Sequence, residues 1–521
     1  MTTNPNNVSH PGFQKSETSS AEVTIYSQSG DPVIYRSEGM QELIGRHRED
    51  PNHSLISVTT NKSLEGTGTF VITLKPAQGA KLTPFDQFVD DDWVDIVFTR
   101  HGRRWHTMRG LIDRIERTKT VAGNGATSTT YTITGRDFQK VWEQTPIWFN
   151  RFTLENVEGA WAYKVYSNIP NLGGNPAKLV QAFLIGWLQQ FGGVGRANWD
   201  MPKMPNSAGN FLVDIAGANA DINFTGVTLQ NFNTDGFTNY PPRYAIDPSL
   251  MSPSGTLWTL AKEWSDPAFC ELFCDLGKQG TQLLPDEEVD LTDGTMCVFF
   301  RDRPFPMTSS VVDDEYNKAD ALGLNKDSAW FALPTHTISR QEIQQDIVGR
   351  EGTERMNAFF VSPQLQQELV AAGGVELMQP LWNKEDIRKH GFRRYDVYSH
   401  YKTQNGKLLT LSTVQRYMLQ NWYAMNPYLL SGTINLGHGR PEIRIGTRIR
   451  IPGDTGDNNR DETYYVEGVS NSWKFGVGIR TALTVTRGFI GTDNQLLQEI
   501  DFAVQPYDIP HLKASSPNIS A

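Results

Sequence analysis

The fold is decided by residues 437–490, which contain GTRIRIP (446–452), ETYYVEGVSNSWKFG (462–476) and RTALTVTRGF (480–489). Each of these three runs is rich in β-branched and aromatic residues, and Gly, Asp and Asn residues lie between them. This composition predicts three antiparallel strands joined by tight turns.

Apolar and basic residues alternate at the start of this stretch. The apolar positions are Ile443, Ile445, Ile449 and Ile451, and the basic positions between them are Arg444, Arg448 and Arg450. Alternation of this kind is typical of a strand with one face on a core and the other in water. We therefore expect the isoleucines to be buried and the arginines to face solvent.

A similar pattern occurs far upstream in the chain. WVDIVFTRHGRRWHTMRGLIDRIERTKT (93–120) and TSTTYTITGRDF (127–138) again predict a strand, a polar turn, a longer strand containing a glycine, a turn and a Thr-rich strand. Matching residue types places Gly110 at the position of Gly468 and aligns YTITGRDF with LTVTRGF. The sequence therefore predicts two weakly similar β-modules near the two ends of one chain.

Composition limits the classes of protein to consider. With 521 residues and 58.5 kDa, the chain has room for two to four domains. No 18 consecutive residues are apolar, and the N-terminal residues lack the basic and apolar regions of a signal peptide, so we expect a protein made in the cytoplasm with no membrane-spanning segment. The net charge of −10 argues against a protein that coats nucleic acid, although it permits passive contact with DNA.

The sequence predicts a mainly β fold with α+β inserts: two tube-like antiparallel β-barrel domains related by a weak internal repeat, plus helical and irregular insertions. The predicted divisions are a flexible N-terminal arm (1–21), a first barrel (22–145), a helix with a long irregular insertion (146–250), an α+β domain (251–345), a split second barrel (346–362 and 431–490), a helical insertion (363–430) and an extended C-terminal tail (491–521).

The three cysteines indicate reduced thiols in a reducing compartment. Ser254 is the expected N-cap of a helix that Pro267 ends. Cys270 and Cys274 lie four residues apart on a stretch also expected to be helical, so a site with two metal ligands is conceivable. No further Cys or His pair has the spacing of a zinc site, and we expect Cys270, Cys274 and Cys297 to be buried structural thiols.

The histidines and acidic clusters give no better candidates for a metal or catalytic site. The positions considered are the histidines His47, His53, His101 and His106, the acidic runs 90–92 and 286–288, and the calcium-like loop 453–462 with Asp454, Asp457, Asn458 and Asp461. None has the spacing of a metal site or an EF-hand, so solvated loops and a polar hairpin turn are the expected structures. No nucleophile elbow, zinc-protease helix or phosphate loop is present, and Gly192–Arg196 follows a helix rather than a strand. We therefore expect no catalytic residue, no cofactor and no metal, and a protein that works through contacts with other proteins.

The order of several motifs resembles one known family. WTLAKEW (258–264) is followed by ELFCDLG (271–277), FRDRPFP (300–306), ERMNAFFV (354–361) and then the stretch 462–488. This order resembles the baseplate hub proteins of long-tailed bacteriophages, whose fold also forms the head of the type VI secretion spike protein. The resemblance covers residues 22–145 and 251–490.

The resemblance implies a structural virion protein of the tail baseplate, assembled in the host bacterial cytoplasm. It implies a homotrimer whose six barrels form a pseudo-six-fold ring between a hexameric tail tube and a trimeric central spike or tip, with tape-measure and baseplate wedge proteins as further candidate partners. DNA would only pass through the lumen, and an acidic lumen would suit that passage.

Two other functions stay open from the sequence. One is a tail protein that degrades the cell wall, although no separate catalytic module remains once the barrels and inserts are assigned. The other is a receptor-binding protein at the tail tip, which aromatic residues such as Trp161, Trp199 and Trp422 would favour if they are exposed.

Overall fold

A computed structural model of the chain describes much of the two regions that contain the predicted β-modules. The described residues are 19–27, 32–37, 53–77, 79–121, 125, 127–144, 244–245, 255–265, 267–268, 270–277, 295–305, 330, 333–363, 381–399, 402–403, 426–453 and 460–491. Several predicted features lie outside these ranges: most of the helix and irregular insertion 146–250, most of the helical insertion 363–430, Trp161, Trp199, Trp422, His47, the acidic run 286–288, Asp454, Asp457 and Asn458.

The described N-terminal half contains seven strands and two short helices. They are β1 (Ser20–Tyr26), β2 (Val33–Arg36), β3 (His53–Ser63), β4 (Thr69–Pro76), α1 (Pro84–Gln87), β5 (Trp93–Arg100), β6 (Arg103–Val121), β7 (Thr127–Asp137) and α2 (Lys140–Gln144). Within the predicted first barrel (22–145), β1 pairs with β2 and β3 pairs with β4, both antiparallel.

The remaining described elements follow after residue 243. They are β8 (Tyr244–Ala245), α3 (Leu257–Trp264), β9 (Cys270–Gly277), β10 (Thr295–Asp302), β11 (Thr335–Thr337), β12 (Ile343–Gly349), β13 (Ala358–Pro363), β14 (Leu381–Trp382), α4 (Lys384–His390), β15 (Arg394–Ser399), β16 (Lys402–Thr403), β17 (Leu430–Leu436), β18 (Arg448–Ile451), β19 (Glu462–Lys474) and β20 (Gly478–Ile490). Three 3₁₀ turns lie at Arg340–Glu342, Gly352–Glu354 and Asn426–Tyr428. In this described part, no helix has the length and apolar character needed to cross a membrane.

One large sheet dominates the molecule, which confirms the predicted mainly β fold. Its strand order is β12-β17-β20-β19-β3-β4-β7-β6-β5-β1-β2, with β18 and β11 attached beside β19. Hydrogen bonding between the described strands does not close either half into a separate barrel. Instead, the two predicted β-modules are parts of one continuous sheet, because β19 pairs directly with β3.

The sheet contains two modules with the same strand order. The first module is β3-β4-β7-β6-β5-β1, and the second module is β12-β17-β20-β19-β18-β11. All pairings inside the two modules are antiparallel except β11 with β18, which is parallel. The predicted internal repeat is therefore visible as repeated topology.

Bulges fix how the two modules correspond. In the first module, Ile56 of β3 and Asp113 of β6 have no partner residue in the strand pairing. In the second module, Gln344 of β12 has the same position as Ile56, and Glu467 of β19 has the same position as Asp113. A bulge is a specific feature of a strand pair, so these four positions align the modules residue by residue.

This alignment corrects the one that matches residue types. It makes Asp113 equivalent to Glu467, so Gly110 corresponds to Tyr464 rather than to Gly468. On the neighbouring strands, Thr134 corresponds to Thr484, two residues from the position that sequence matching gives. Thr130, Thr132 and Thr134 follow each other on one face of β7. A shift of two residues therefore places a Thr on a Thr on the same face, and the sequence alone does not determine the register.

The hairpin formed by β19 and β20 connects the two modules. Each module has its own apolar core, but Trp473 and Ile479 of this hairpin pack in the core of the first module. The pairing of β19 with β3 runs from Gly468 opposite Ser63 to Lys474 opposite Ser57. We call this pairing the internal seam.

The four isoleucines of the opening stretch are buried as predicted, but two of the three arginines are buried too. Arg444 and Arg448 are less than a tenth exposed, and only Arg450 faces solvent. The Arg448 guanidinium lies 5.4 Å from the centre of the Trp330 ring, and Arg444 Nε lies 3.8 Å from Asp275. The residues before Arg448 are not a strand, so alternation did not apply to them.

Two predicted elements lie elsewhere than expected. Helix α3 is capped by Thr256, whose side chain accepts a hydrogen bond from Thr259 N, rather than by Ser254. Strand β13, assigned by sequence to the second barrel, pairs with β14 and β15 in a separate three-stranded sheet. The strands that complete the second module are β11 and β12 instead.

Candidate functional site: the open edges of the sheet

The two cysteines considered as metal ligands do not lie on a helix. Both Cys270 and Cys274 belong to strand β9. Residues four apart along a strand are separated by about 13 Å, which is too far for both to bind one ion. Burial raises the pKa of the Cys274 thiol well above its ordinary value, which keeps it protonated and unreactive.

Two of the histidines expected in solvated loops are placed in strands. His53 is buried in β3, with its ring edge-on to Tyr131 at a centroid distance of 5.6 Å. His106 of β6 lies 3.1 Å from the Asp95 carboxylate, whereas His101 is an exposed turn residue. The pairing of His106 with Asp95 could not be predicted from the sequence, because the pairing depends on the register between β5 and β6.

The acidic run 90–92 is only partly a solvated face. Asp90 and Asp91 are exposed, but Asp92 is fully buried and its carboxylate accepts a hydrogen bond from Val89 N at 2.9 Å. Asp461, from the calcium-like loop, accepts a hydrogen bond from Gly453 N and pairs with Arg450. Among the residues that the structure describes, no cluster of three or more His, Cys, Asp or Glu could hold a metal ion.

A group of buried ion pairs fastens strand β9 to both modules. Lys62 of the first module lies 2.6 Å from Asp275, and Arg487 of the second module lies 3.2 Å from Glu271. The Tyr465 hydroxyl also donates a hydrogen bond to Glu271. Each charged group has an oppositely charged partner, so this network holds the β9–β10 ribbon against the sheet.

Two other buried carboxylates have shifted pKa values. Burial alone would raise the pKa of Asp95, but the Arg109 guanidinium and His106 outweigh it and lower the pKa to about 2. Burial raises the pKa of Asp137 to about 7, despite hydrogen bonds from the backbone N–H groups of Gly68 and Gln139. The Asp95 carboxylate is paired with Arg109 and His106, and the buried Asp137 carboxylate accepts hydrogen bonds from the backbone. Neither side chain is presented to a substrate.

The cavity near the internal seam is too small for an organic substrate. Its volume is about 20 Å³, and its lining includes Lys62, His106, Asp275 and Asn471. That volume holds about one water molecule.

The feature that can bind a partner is the pair of open edges at the ends of an eight-strand run. This run is β12-β17-β20-β19-β3-β4-β7-β6, and it extends from β12, the first strand of the large sheet, to β6. At one end, β12 is paired along one side by β17; at the other end, the segment of β6 beyond Ile112 is paired along one side by β7. Within the described ranges, no strand pairs with the outer side of either segment.

These two edges are exposed. Residues 113–114 and 117–121 of β6 and residues 344–347 of β12 are exposed to solvent, including the large apolar residues Val121 and Ile347. An unprotected strand edge presents unpaired N–H and C=O groups and readily accepts another strand. The two edges together are therefore the candidate interaction site.

One face of the eight-strand run is uncharged at its centre. The apolar cores lie on the other face of the run. The residues at the centre of the uncharged face are Thr59, Val71, Thr73, Thr130, Thr132, Thr134, Thr433, Asn435, Ser470, Ser472, Ala482 and Thr484. Hydroxyl groups predominate. Charged residues on the same face include Lys75 and Arg480 near the strand ends, and the ion pair of Arg114 with Glu116 on β6.

The chain is similar to several solved structures, whereas no known family model and no curated protein matches it. A tail protein from Neisseria meningitidis MC58 is 11% identical with a TM-score of 0.42, over 89% of this chain and 96% of that one. The 43 kDa tail protein of prophage MuSo2 from Shewanella oneidensis is 10% identical with a TM-score of 0.41, over 90% of this chain and 98% of that one. An E. coli component of the type VI secretion system, described as similar in structure to the T4 bacteriophage tail proteins gp27 and gp5, is 8% identical with a TM-score of 0.34, over 84% of this chain and 75% of that one.

Proposed function

We propose that this chain is a structural hub protein of a phage-type tail baseplate. In this proposal three copies form a ring that joins a hexameric tail tube to a trimeric spike or tip, and the ring lets DNA pass. The observation that carries the proposal is the duplication: two modules with the same strand order, and with bulges at two pairs of equivalent positions, lie side by side in one sheet.

Duplication of this kind suits an adaptor between two symmetries. A ring of three chains with two equivalent modules each would present six similar units to a hexamer, while its inserts would follow the true three-fold axis. The sequence resemblance to baseplate hub proteins supports the same arrangement. The two open edges also belong to opposite ends of the eight-strand run, as a head-to-tail ring requires.

The uncharged face suits a passage for DNA. In the proposed ring this face lines the lumen, where hydroxyl side chains predominate and carry no positive charge to hold phosphate groups. The sequence led us to expect an acidic lumen, but the described positions of this face from β17 to β7 are mostly uncharged, and Arg114 of β6 is paired with Glu116. A neutral polar wall also avoids the strong, salt-dependent attraction that would slow a moving duplex.

Cryo-electron microscopy of particles that contain the chain tests the proposal. We expect density for the chain between the tail tube and the tip, with pseudo-six-fold symmetry towards the tube and three-fold symmetry towards the tip. Density on the tail exterior, as a fibre or a sheath, would contradict the proposal.

We further propose that the chain has no enzymatic activity. The competing function is degradation of the cell wall, and zymography on peptidoglycan distinguishes the two. We expect no cleared band from the purified full-length chain, with a lysozyme lane as the positive control. A cleared band at the mass of this chain would favour the enzyme.

A further inference from the structure

We propose that strand β6 of one chain pairs with strand β12 of a second copy, antiparallel and in one defined register. This inference rests on the proposed ring, and it specifies which edges meet and which residues lie opposite each other. We call this pairing the external seam.

The internal seam supplies the template for the external one. Inside one chain, β19 of the second module pairs with β3 of the first over residues 468–474 and 57–63. By the correspondence of the modules, β6 of the first module is equivalent to β19 of the second, and β12 of the second module is equivalent to β3 of the first. In a ring of equivalent modules, β6 of one chain must therefore pair with β12 of the next chain.

The bulges give the register of this pairing. Asp113 and Glu467 are equivalent bulges, so residues 114–120 of β6 take the place of residues 468–474 of β19. Ile56 and Gln344 are equivalent bulges, so residues 345–351 take the place of residues 57–63 of β3. Gly468 lies opposite Ser63 in the internal seam, so Arg114 should lie opposite Glu351 in the external seam.

This register brings opposite charges together. Two of its seven pairs contain a charged residue on both strands: Arg114 opposite Glu351, and Lys119 opposite Asp346. Both pairs are of opposite sign, and because the bulges alone give the register, this match of charges is independent support for it. Opposite charges on directly opposed strand positions stabilise a sheet, and like charges destabilise it. The middle of the seam places Thr118 opposite Ile347, whose side chain is 62% exposed in the single chain.

The two seams differ in one respect that sets how the ring assembles. Trp473 in the internal seam is 4% exposed and packs in the core of the first module, but the equivalent residue in the external seam is the exposed Lys119. The internal seam is therefore held by burial of an aromatic residue, and the external seam depends more on ion pairs. Each chain should fold first and then assemble, and added salt should weaken assembly.

Cysteine cross-linking tests the seam and its register. Co-expressed chains carrying Thr118→Cys and Ile347→Cys on separate copies should form disulfide-linked dimers under mild oxidation. A chain that carries both substitutions should give a covalent trimer. Two controls use the same chemistry: Thr59→Cys with Ser472→Cys, the equivalent pair of the internal seam, should link within one chain, and Arg114→Cys with Ile347→Cys, about 13 Å out of register, should not link chains.

The outcomes separate this inference from the proposed function. If the internal control links but the Thr118 and Ile347 variants do not, the external seam is wrong. In that case, a trimeric mass for the unmodified chain would leave the proposed ring standing, and a monomeric mass would overturn both. Linking by the out-of-register pair at the same rate would overturn the register.

A charge exchange tests the same seam without cysteines. Asp346→Lys and Lys119→Asp should each raise the concentration needed for half-assembly by about tenfold, because each places like charges opposite each other in every external seam. The two substitutions combined in one chain should restore assembly to within about threefold of the wild type. Lys75→Asp, an exposed charge reversal away from the seam, should have no effect on assembly. Failure of the combined variant to recover, while each single variant is folded, would contradict the pairing.

Discussion

Asp91 and Gly446 occupy equivalent positions in the two modules, and both have a left-handed backbone, with φ of 63° and 76°. Asp91 N donates to Ile112 O while Ile112 N donates to Asp92 O. In the second module, Gly446 N donates to Val466 O while Val466 N donates to Thr447 O. The same turn therefore docks on the same strand in both modules, which extends the duplication from strand order to individual hydrogen bonds.

The backbone at this turn predicts the effect of substituting Gly446. Gly446→Ala should lower the free energy of unfolding by about 1–2 kcal/mol, because an L-residue with a Cβ is strained in this conformation. Gly446→Asn should cost less, since asparagine, like the equivalent Asp91, adopts this conformation more readily than alanine and adds no charge at this buried position. Urea denaturation measures both. Gly66→Ala, at a position with open space and no left-handed backbone, is the control and should change stability little.

The packing of Trp473 predicts that the two modules share stability. Trp473→Ala should lower the free energy of unfolding by about 3–5 kcal/mol, the usual cost of removing a buried aromatic side chain. Because Trp473 belongs to the second module and packs in the first, unfolding of both should shift together. Phe475→Ala, in the adjacent turn and 56% exposed, should cost less than about 0.5 kcal/mol. Equal effects of the two substitutions would contradict the shared core.

The raised pKa of Asp137 predicts a change of stability with pH. The folded pKa of about 7 is above the value near 3.9 expected in the unfolded chain, so the stability from this group is fully present below about pH 4 and is lost as pH rises towards 7. Asp137→Asn should reduce this loss, by up to about 1.4 kcal/mol per pH unit. Urea midpoints between pH 4.5 and 7.5 measure the difference from wild type. Asp90→Asn, in an exposed turn, should keep the wild-type pH dependence, and an unchanged slope in Asp137→Asn would contradict the assignment.

Charges placed in the second core should prevent assembly. Ile449→Asp together with Ile451→Asp puts two carboxylates at positions that are at most 1% exposed and lie in the apolar core of the second module, where burying a charge is costly. We expect loss of soluble assembled protein, measured by size-exclusion chromatography. Val477→Asp, at an exposed position in the turn after β19, is the matched control and should leave assembly intact.

The sequence predicted the β-modules but could not predict how they join. Burial of Ile449 and Ile451 follows from alternation, which depends only on local periodicity. The pairing of Lys474 with Ser57 depends on residues that are far apart in sequence, and no local pattern encodes it. The repeat was detected but misaligned, because its Thr-rich strands look alike after a shift of two, and the bulges that set the true alignment leave no mark in residue type.

The candidate site was even less accessible from sequence. The exposed residues of β6 and β12 have ordinary polar composition, and nothing in it distinguishes an open strand edge from a paired one. Only the strand order reveals that β12 and β6 end the eight-strand run. Similarly, Arg444 and Arg448 were expected in water because alternation ignores partners such as Asp275 that come from another strand.

The mass of the assembled chain tests the ring most directly. Native mass spectrometry of the purified full-length protein, at low ionic strength and over a series of concentrations, measures it. Three chains of 58.5 kDa each predict a species of about 175 kDa that dissociates to single chains as salt increases. A dimer, or a single chain at every concentration, would contradict the account.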